Sequence, residues 1–205
     1  MVATHLIFLV EDLSTEIFLH ALLPRWLPPE KTFEVHSFQG KNDLLGKLEA
    51  RLRGYIAWIP NDWRIVVVVD RDDDDCRALK RQLQDIAEQA GLQTRSHASN
   101  TQWQIVNRIA IEELEAWYFG DWAAVRAAYP RTPASIPTRQ RFRDPDAITG
   151  GTWEAFEQVM QQSGYFKGGL TKLEAARAIG NQIDPARSRS KSFQVFYKAI
   201  IEAMA

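Results

Sequence analysis

The sequence predicts an α/β fold: a mostly parallel sheet with helices on both faces, followed by a helical C-terminal part. Three observations predict it. Ile65–Val69 is a run of five β-branched residues, the composition of a strand covered on both faces, as parallel strands are. Strand-like and helix-like patterns then alternate along the first 120 residues, which implies βαβ units. No strand pattern follows Ile111.

The elements follow in chain order. His5–Val10 is nearly continuous apolar sequence of strand length. Ser14-Thr15-Glu16 opens a helical pattern through Ile17, Phe18, Ala21 and Leu22, with Ser14 or Thr15 as N-cap, and Pro24 and Pro28-Pro29 end it. Phe33–Phe38 alternates as a half-buried strand does. Gly40-Lys41-Asn42-Asp43 reads as a turn and N-cap before a helix marked by Leu44, Leu45, Leu48 and Leu52. It lacks the Gly-x-x-x-x-Gly-Lys-Ser/Thr pattern of a phosphate loop. After the strand Ile65–Val69, Cys76–Ala90 carries Leu79, Leu83, Ile86 and Ala87 on one helical face, with Gly91 beyond its end. Leu92–His97 is predicted as a fourth, more polar strand near an edge, and Ile105–Ile111 as a fifth. Glu112–Trp117 opens another helix.

Composition changes near Tyr129. Pro130, Pro133 and Pro137, with Arg139, Arg141 and Arg143, mark a basic connector, and helical patterns follow at 152–162, 172–179 and 192–204. The predicted plan is therefore an α/β domain over residues 1–120 and a helical part over 121–205 packed on it.

Composition narrows the function classes. The chain has 205 residues, formal net charge −1 and one cysteine, Cys76. No global basic field advertises nucleic-acid binding, which leaves a local groove open. A single cysteine excludes an intramolecular disulfide and any multi-cysteine zinc site. Leu6–Val10 is too short and wrongly flanked for a targeting segment, and no apolar run reaches the roughly 20 residues needed to span a bilayer. A soluble cytoplasmic protein with no membrane partner is expected.

The chemistry-bearing feature is Asp70-Arg71-Asp72-Asp73-Asp74-Asp75, placed where the buried strand ends. Open α/β sheets bind ligands outside the carboxyl ends of their strands. Crowded carboxylates repel one another until protons or a cation neutralise them, so the run points to a hard divalent ion, Mg2+ or Mn2+. In extended chain, Asp70 and Asp72 face the same way. Glu11 ends the first strand as Asp70 ends the later one, and neighbouring parallel strands lie roughly 5 Å apart, so these groups can converge. Asp73 and Asp75 read as caps of the following helix, while Asp74 stands between cap and ligand. Glu16 is either a first-turn helix residue or part of the site. Glu115 follows a strand that can end near the acids, and it is the further candidate. The basic runs Arg139–Arg143 and Arg187–Ser192 offer phosphate contacts or solvated loops.

Phe8-Leu9-Val10-Glu11 followed by Val68-Val69-Asp70-Arg71-Asp72 resembles the Toprim domain of topoisomerases, primases and overcoming-lysogenization-defect (OLD) nucleases. The whole chain is similar to bacterial Toprim-like proteins often encoded beside ABC-type ATPases. That likeness lies in Val10-Glu11-Asp12-x-Ser14-Thr15-Glu16, Gly40-Lys41-Asn42-Asp43, Asp70–Asp74 and Glu112–Tyr118. The resemblance implies a Mg2+- or Mn2+-dependent nuclease acting on DNA or RNA, with an ATPase partner in a phage-defence setting. It gives Glu11 the catalytic acid/base or metal-linked role and Asp70 and Asp72 the metal, with Glu16, Asp74 and Glu115 completing the shell. Lys41, Lys167, Lys172 and Lys191 are unranked candidates for stabilising phosphate. The Toprim pattern usually has Gly after the first acid; this chain has Asp12, which narrows the site or adds a carboxylate. A non-catalytic metal- or nucleotide-binding module regulating an ATPase is the alternative. Acid-phosphatase-type phosphotransfer ranks below both, because its Asp-x-Asp usually follows the first strand.

Overall fold

The uninterrupted β-branched run Ile65–Val69 forms the middle of the central strand β3 (Trp63–Asp70), from which the rest of the sheet is placed. In the computed structural model, which describes residues 2–98 and 103–205, β3 pairs in parallel with β1 (His5–Val10) on one side and β4 (Ile105–Ala110) on the other. β2 (Thr32–Ser37) adds in parallel to the far side of β1, giving the order β2-β1-β3-β4 among the described residues.

The period of two sorts the side chains of β1 and β3 onto two faces. Leu6, Phe8 and Val10 of β1 and Val66 and Val68 of β3 pack with Phe18, Leu19 and Leu22 of α1 (Leu13–Leu22). Ile7, Leu9, Ile65, Val67 and Val69 face the opposite way, against the leucine stripes of α2 (Lys41–Ile56) and α3 (Cys76–Gln89). The molecule is thus an α/β fold with helices on both faces. No helix among the described residues is long and apolar enough to cross a membrane.

The C-terminal helices extend the α1 layer. α4 (Leu114–Gly120), α6 (Thr152–Gln162), α7 (Lys172–Gly180) and α8 (Lys191–Met204) contribute Trp117, Tyr118, Phe156, Ile179 and Phe196 to the same apolar cluster. α7 lies along α1 so closely that a Cβ on Gly180 would stand 2.9 Å from the Phe18 carbonyl oxygen. α8 packs against β4.

Four expectations need correction. Leu92–His97 is not a strand: only Thr94 makes a bridge, to Ile105, because just Gln93 O and Arg95 N, on either side of it, bond to the backbone at Gln104 and Ile105 before the chain turns away. The cap of α1 is Asp12, whose Oδ1 accepts the Thr15 amide at 2.8 Å, rather than Ser14 or Thr15. A further helix, α5 (Trp122–Ala128), is present where no pattern marked one, since its buried residues Trp122, Ala124 and Val125 span too few turns for a periodic signal. The basic connector folds into short 3-10 turns at Ile136–Thr138, Gln140–Phe142 and Pro145–Ala147, with Arg141 and Arg143 donating to main-chain carbonyls.

Arg187 belongs to a structural pair. The buried Asp121 carboxylate caps α5 at Ala124, accepts the Asp184 amide at 2.8 Å and takes two guanidinium bonds from Arg187, at 3.1 and 2.9 Å. Arg189 reaches the carbonyls of Phe142 and Arg143. These bonds fix the loop before α8. Asp121→Ala is expected to cost about 2–4 kcal/mol, because it strands buried amides and removes a bidentate ion pair. Asp184→Ala, which breaks the more exposed second contact to Arg187 and an exposed bond from the Ala186 amide, should cost under about half of that. Urea denaturation of the two variants measures the difference.

Candidate active site at the carboxyl end of the sheet

The strand order reverses direction between β1 and β3: the chain leaves β1 toward β2, then crosses back to β3 and on to β4. That switch point opens a crevice beyond the strand ends, the usual ligand position in open α/β sheets. Glu11 and Asp70 stand there. Glu11 Oε2 accepts the Asp70 amide at 3.1 Å, so the two strand ends are joined by the acid itself.

The loops that follow β3 and β4 are tied to each other. Arg71 N donates to Ala110 O at 2.8 Å and Asp72 N to Glu112 O at 2.9 Å, and Arg71 forms an ion pair with Glu112. Both Asp72 (φ +48°) and Glu112 (φ +64°) adopt the left-handed region. Non-glycine residues held there store strain that the surrounding bonds must maintain, a pattern concentrated at functional sites.

Lys41, at the start of α2, crosses the crevice. Its ammonium donates to Asp72 Oδ2 and Asp74 Oδ2, each at 2.7 Å, and to Arg71 O at 3.0 Å. Burial opposes its charge, but the hydrogen bonds to Asp72 and Asp74 prevail and hold its proton more tightly than usual. Gly40, with φ +94°, supplies the turn that starts α2 here.

Electrostatics link five carboxylates across this end of the sheet. Burial, then repulsion from Glu11, Asp12, Glu115 and Asp72, pushes Asp70 well above the ordinary carboxylate range. Burial raises Glu11 as well, with the Asp70 amide opposing and Asp72 adding to the rise. Glu115 is 3% exposed, and burial lifts it to about 7 although Lys172 draws it back. Lys172 also lies over the Trp153 ring, 4.9 Å from its centre. Glu11, Asp12, Asp70, Asp72 and Glu115 therefore feel one another, with Lys41 on one side and Lys172 on the other.

The remaining candidates lie beside this cluster or apart from it. Glu16 Oε2 accepts the Ser37 amide at the end of β2. Asp74 reaches the site through Lys41. Asp75 caps α3 through Ala78 N at 2.7 Å. Lys167 is exposed on the loop before α7, and Lys191 begins α8 beside a separate cavity. Glu113 caps α6, its Oε2 taking the amides of Thr152 and Trp153. Two contributors were not marked by their sequence surroundings: Asp12, visible there only as the residue replacing a glycine, and Lys172, one of four unranked lysines.

The donor chemistry fits a divalent cation. All the acids present hard oxygens, and the repulsion that adds to burial in raising the proton affinities of Glu11, Asp70 and Glu115 is what such an ion relieves. Among the described residues, no three Asp, Glu, His or Cys side chains close around one point. Lys41 takes up part of the charge, and enclosing an ion requires side-chain reorientation.

Comparisons with known proteins agree with this architecture. The family described as "Domain of unknown function (DUF4276)" matches residues 10–201. The solved C-terminal region of the Burkholderia pseudomallei OLD protein superposes over 100% of both chains, at 18% identity and a TM-score of 0.53. At that identity the likeness is one of fold. No curated protein matches the chain.

The Glu115 environment has a pH consequence in metal-free buffer. Its folded value, about 7, lies above the ordinary 4.5. Its contribution to stability is therefore complete below the unfolded value and is lost as pH rises through 7. Glu115→Gln is expected to be more stable than wild type at pH 8, by roughly 2–3 kcal/mol at most, with the advantage vanishing toward pH 4. Urea midpoints across that range check both sign and window.

Proposed function

The chain belongs to the DUF4276 family, and we propose that it acts as a Mg2+- or Mn2+-dependent nuclease on DNA or RNA phosphodiester bonds. The observation that carries this reading is Glu11 bonded to the Asp70 amide at the switch point, with Lys41 held at Asp72 and Asp74 and Lys172 acting on Glu115. The OLD protein whose C-terminal region shares the fold adds a parallel, as does the Toprim resemblance of the two acidic motifs.

In this reading Asp70 and Asp72 hold the ion, and Glu115, Asp74 and Asp12 supply further negative charge. A bound divalent cation would polarise the phosphate and lower the proton affinity of a coordinated water. Glu11 takes the proton from the attacking water, a task suited to its raised proton affinity. The water oxygen bonds to phosphorus, the P–O bond to the leaving oxygen breaks, and that oxygen takes up a proton. Lys41 and Lys172 stabilise the charge that builds on the phosphate oxygens. To share Asp72 and Asp74 with an ion, Lys41 must loosen its present grip, which frees its ammonium for the phosphate. An ABC-type ATPase partner and a role in phage defence follow from the resemblance.

One observation favours the non-catalytic alternative. Lys41 already neutralises Asp72 and Asp74, so a site of this kind can hold its charge without turnover. Cleavage of plasmid, single-stranded DNA and RNA with Mg2+ or Mn2+ separates the readings. Glu11→Gln and Asp70→Asn are each expected to lower cleavage at least about 100-fold while remaining folded. Lys41→Ala should lose roughly as much. Metal-dependent cleavage that persists unchanged in Glu11→Gln and Asp70→Asn contradicts the assignment. Copurification with an ATPase and no cleavage of any substrate supports the alternative.

A further inference from the structure

A largely apolar cavity with a few polar groups lies away from the Glu11–Asp70 cluster, along the outer edge of β4. It measures about 480 Å3 and is bounded by α3, β4, the 144–146 turn and the start of α8. Its size falls within the range of small-molecule sites.

Three features of its lining point to a ligand. First, both polar atoms of the Asn107 carboxamide are buried without a hydrogen-bond partner, in a residue 2% exposed. Arg108 Nε is buried and unpartnered as well. A buried polar group left unpaired costs free energy, and such groups in a folded protein call for a missing partner. Second, Lys80 and Arg108 converge without a carboxylate between them. Lys80 Nζ and Arg108 Nη1 both donate to the main-chain carbonyl oxygen of Asn107, at 3.0 Å for the arginine. Burial, then repulsion from Arg108, lowers Lys80 to about 8. Third, the two acids of this lining are held by neutral donors and not by these cations. Asp146 takes the hydroxyls of Ser190 and Ser192 and the Ser192 amide, and Asp144 takes the Asp146 amide. Neither forms an ion pair with Lys80, Arg108 or Lys191 among the described residues.

Lys80 and Arg108 are half-buried and make no direct ion pair among the described residues, Glu202 acting on Arg108 only from beyond contact, and two such cations side by side favour an anion. Ile109, Ile111 and Val195 give the same cavity an apolar wall. The Asn107 carboxamide sets a donor beside an acceptor, the pattern that pairs with the edge of a nucleobase. We propose that this cavity binds a nucleoside monophosphate unit, free or as the 5′-phosphorylated end of a nucleic-acid strand. The phosphate sits on Lys80 and Arg108, and the base lies on the apolar wall within reach of Asn107. This assignment stands apart from the cleavage reading, since none of its residues belongs to the carboxylate cluster.

Cys76, the only cysteine of the chain, lines the cavity and reports its occupancy. The experiment follows alkylation of Cys76 by intact mass in EDTA, where metal-dependent cleavage is silent. The probes are adenosine and cytidine monophosphates, the matching nucleosides, and a short 5′-phosphorylated oligonucleotide. Nucleotides at millimolar concentration are expected to slow labelling saturably, and nucleosides are expected to do so far less. Lys80→Gln should raise the half-protecting concentration roughly tenfold or more. Asn107→Leu, which removes the unpaired amide but fills the same space, should keep the fold and weaken protection. Protection by the free nucleotides alone identifies a soluble ligand, and protection by the oligonucleotide identifies a strand end; either supports the proposal. The proposal is overturned if neither protects, if nucleosides protect as well as nucleotides, or if folded Lys80→Gln is protected as wild type is.

Discussion

The parallel pairing of β1 with β3 is the constraint on which the rest of this molecule depends. Val10 is in register with Val68, so the two strands finish together and the acids that follow them are delivered to one place. Glu11 then closes the gap by accepting the Asp70 amide. Neither strand has a solvated face, because α1 and the C-terminal helices cover one side while α2 and α3 cover the other. Burial of this extent anchors the strand ends, and that anchoring lets carboxylates remain side by side against their own repulsion. A looser sheet would relieve the strain by moving apart.

Desolvation and repulsion act in the same direction at this end of the sheet. For Glu11, Asp70 and Glu115 burial is the larger cause of the raised proton affinity, and neighbouring carboxylates add to it for each. Lys41 answers the exposed side of the cluster, at Asp72 and Asp74, while Lys172 answers the buried side, at Glu115. The two lysines come from opposite layers, since α2 and α7 cover different faces. The helical C-terminal part therefore completes the site's electrostatics as well as the core. The positive-φ backbone at Asp72 and Glu112 belongs to the same design, because the Asp72 amide bonds to the Glu112 carbonyl and holds both loops in place.

Much of this was legible in the sequence, for physical reasons that can be named. Strands buried on both faces leave continuous apolar runs, so β1 and β3 announced themselves, and with them the positions of Glu11, Asp70 and Asp72. The cap at Asp75 was readable because an acid directly preceded a strongly amphipathic helix. Leu92–His97 misled because composition alone does not reveal how many backbone partners a segment finds; Thr94 finds one bridge. Asp12 was read as the residue replacing a glycine, whereas it serves both as the α1 cap and as a member of the acidic group. Lys172 and the Asp121–Arg187 pair depend on contacts across more than 50 residues, which no local pattern encodes. The cavity beside β4 was likewise invisible, since unpaired polar atoms are a property of packing.

The central claim is that the ends of β1 and β3 form a cation site built on Glu11 and Asp70. Anomalous diffraction from crystals soaked in Mn2+ tests it most directly. A peak within coordination distance of Asp70 and Glu11, with Lys41 displaced from Asp72 or Asp74 and the peak absent from Asp70→Asn crystals, is the predicted result. Full Mn2+ loading elsewhere, or no peak near Asp70 while Lys41 keeps both aspartates, would contradict the account.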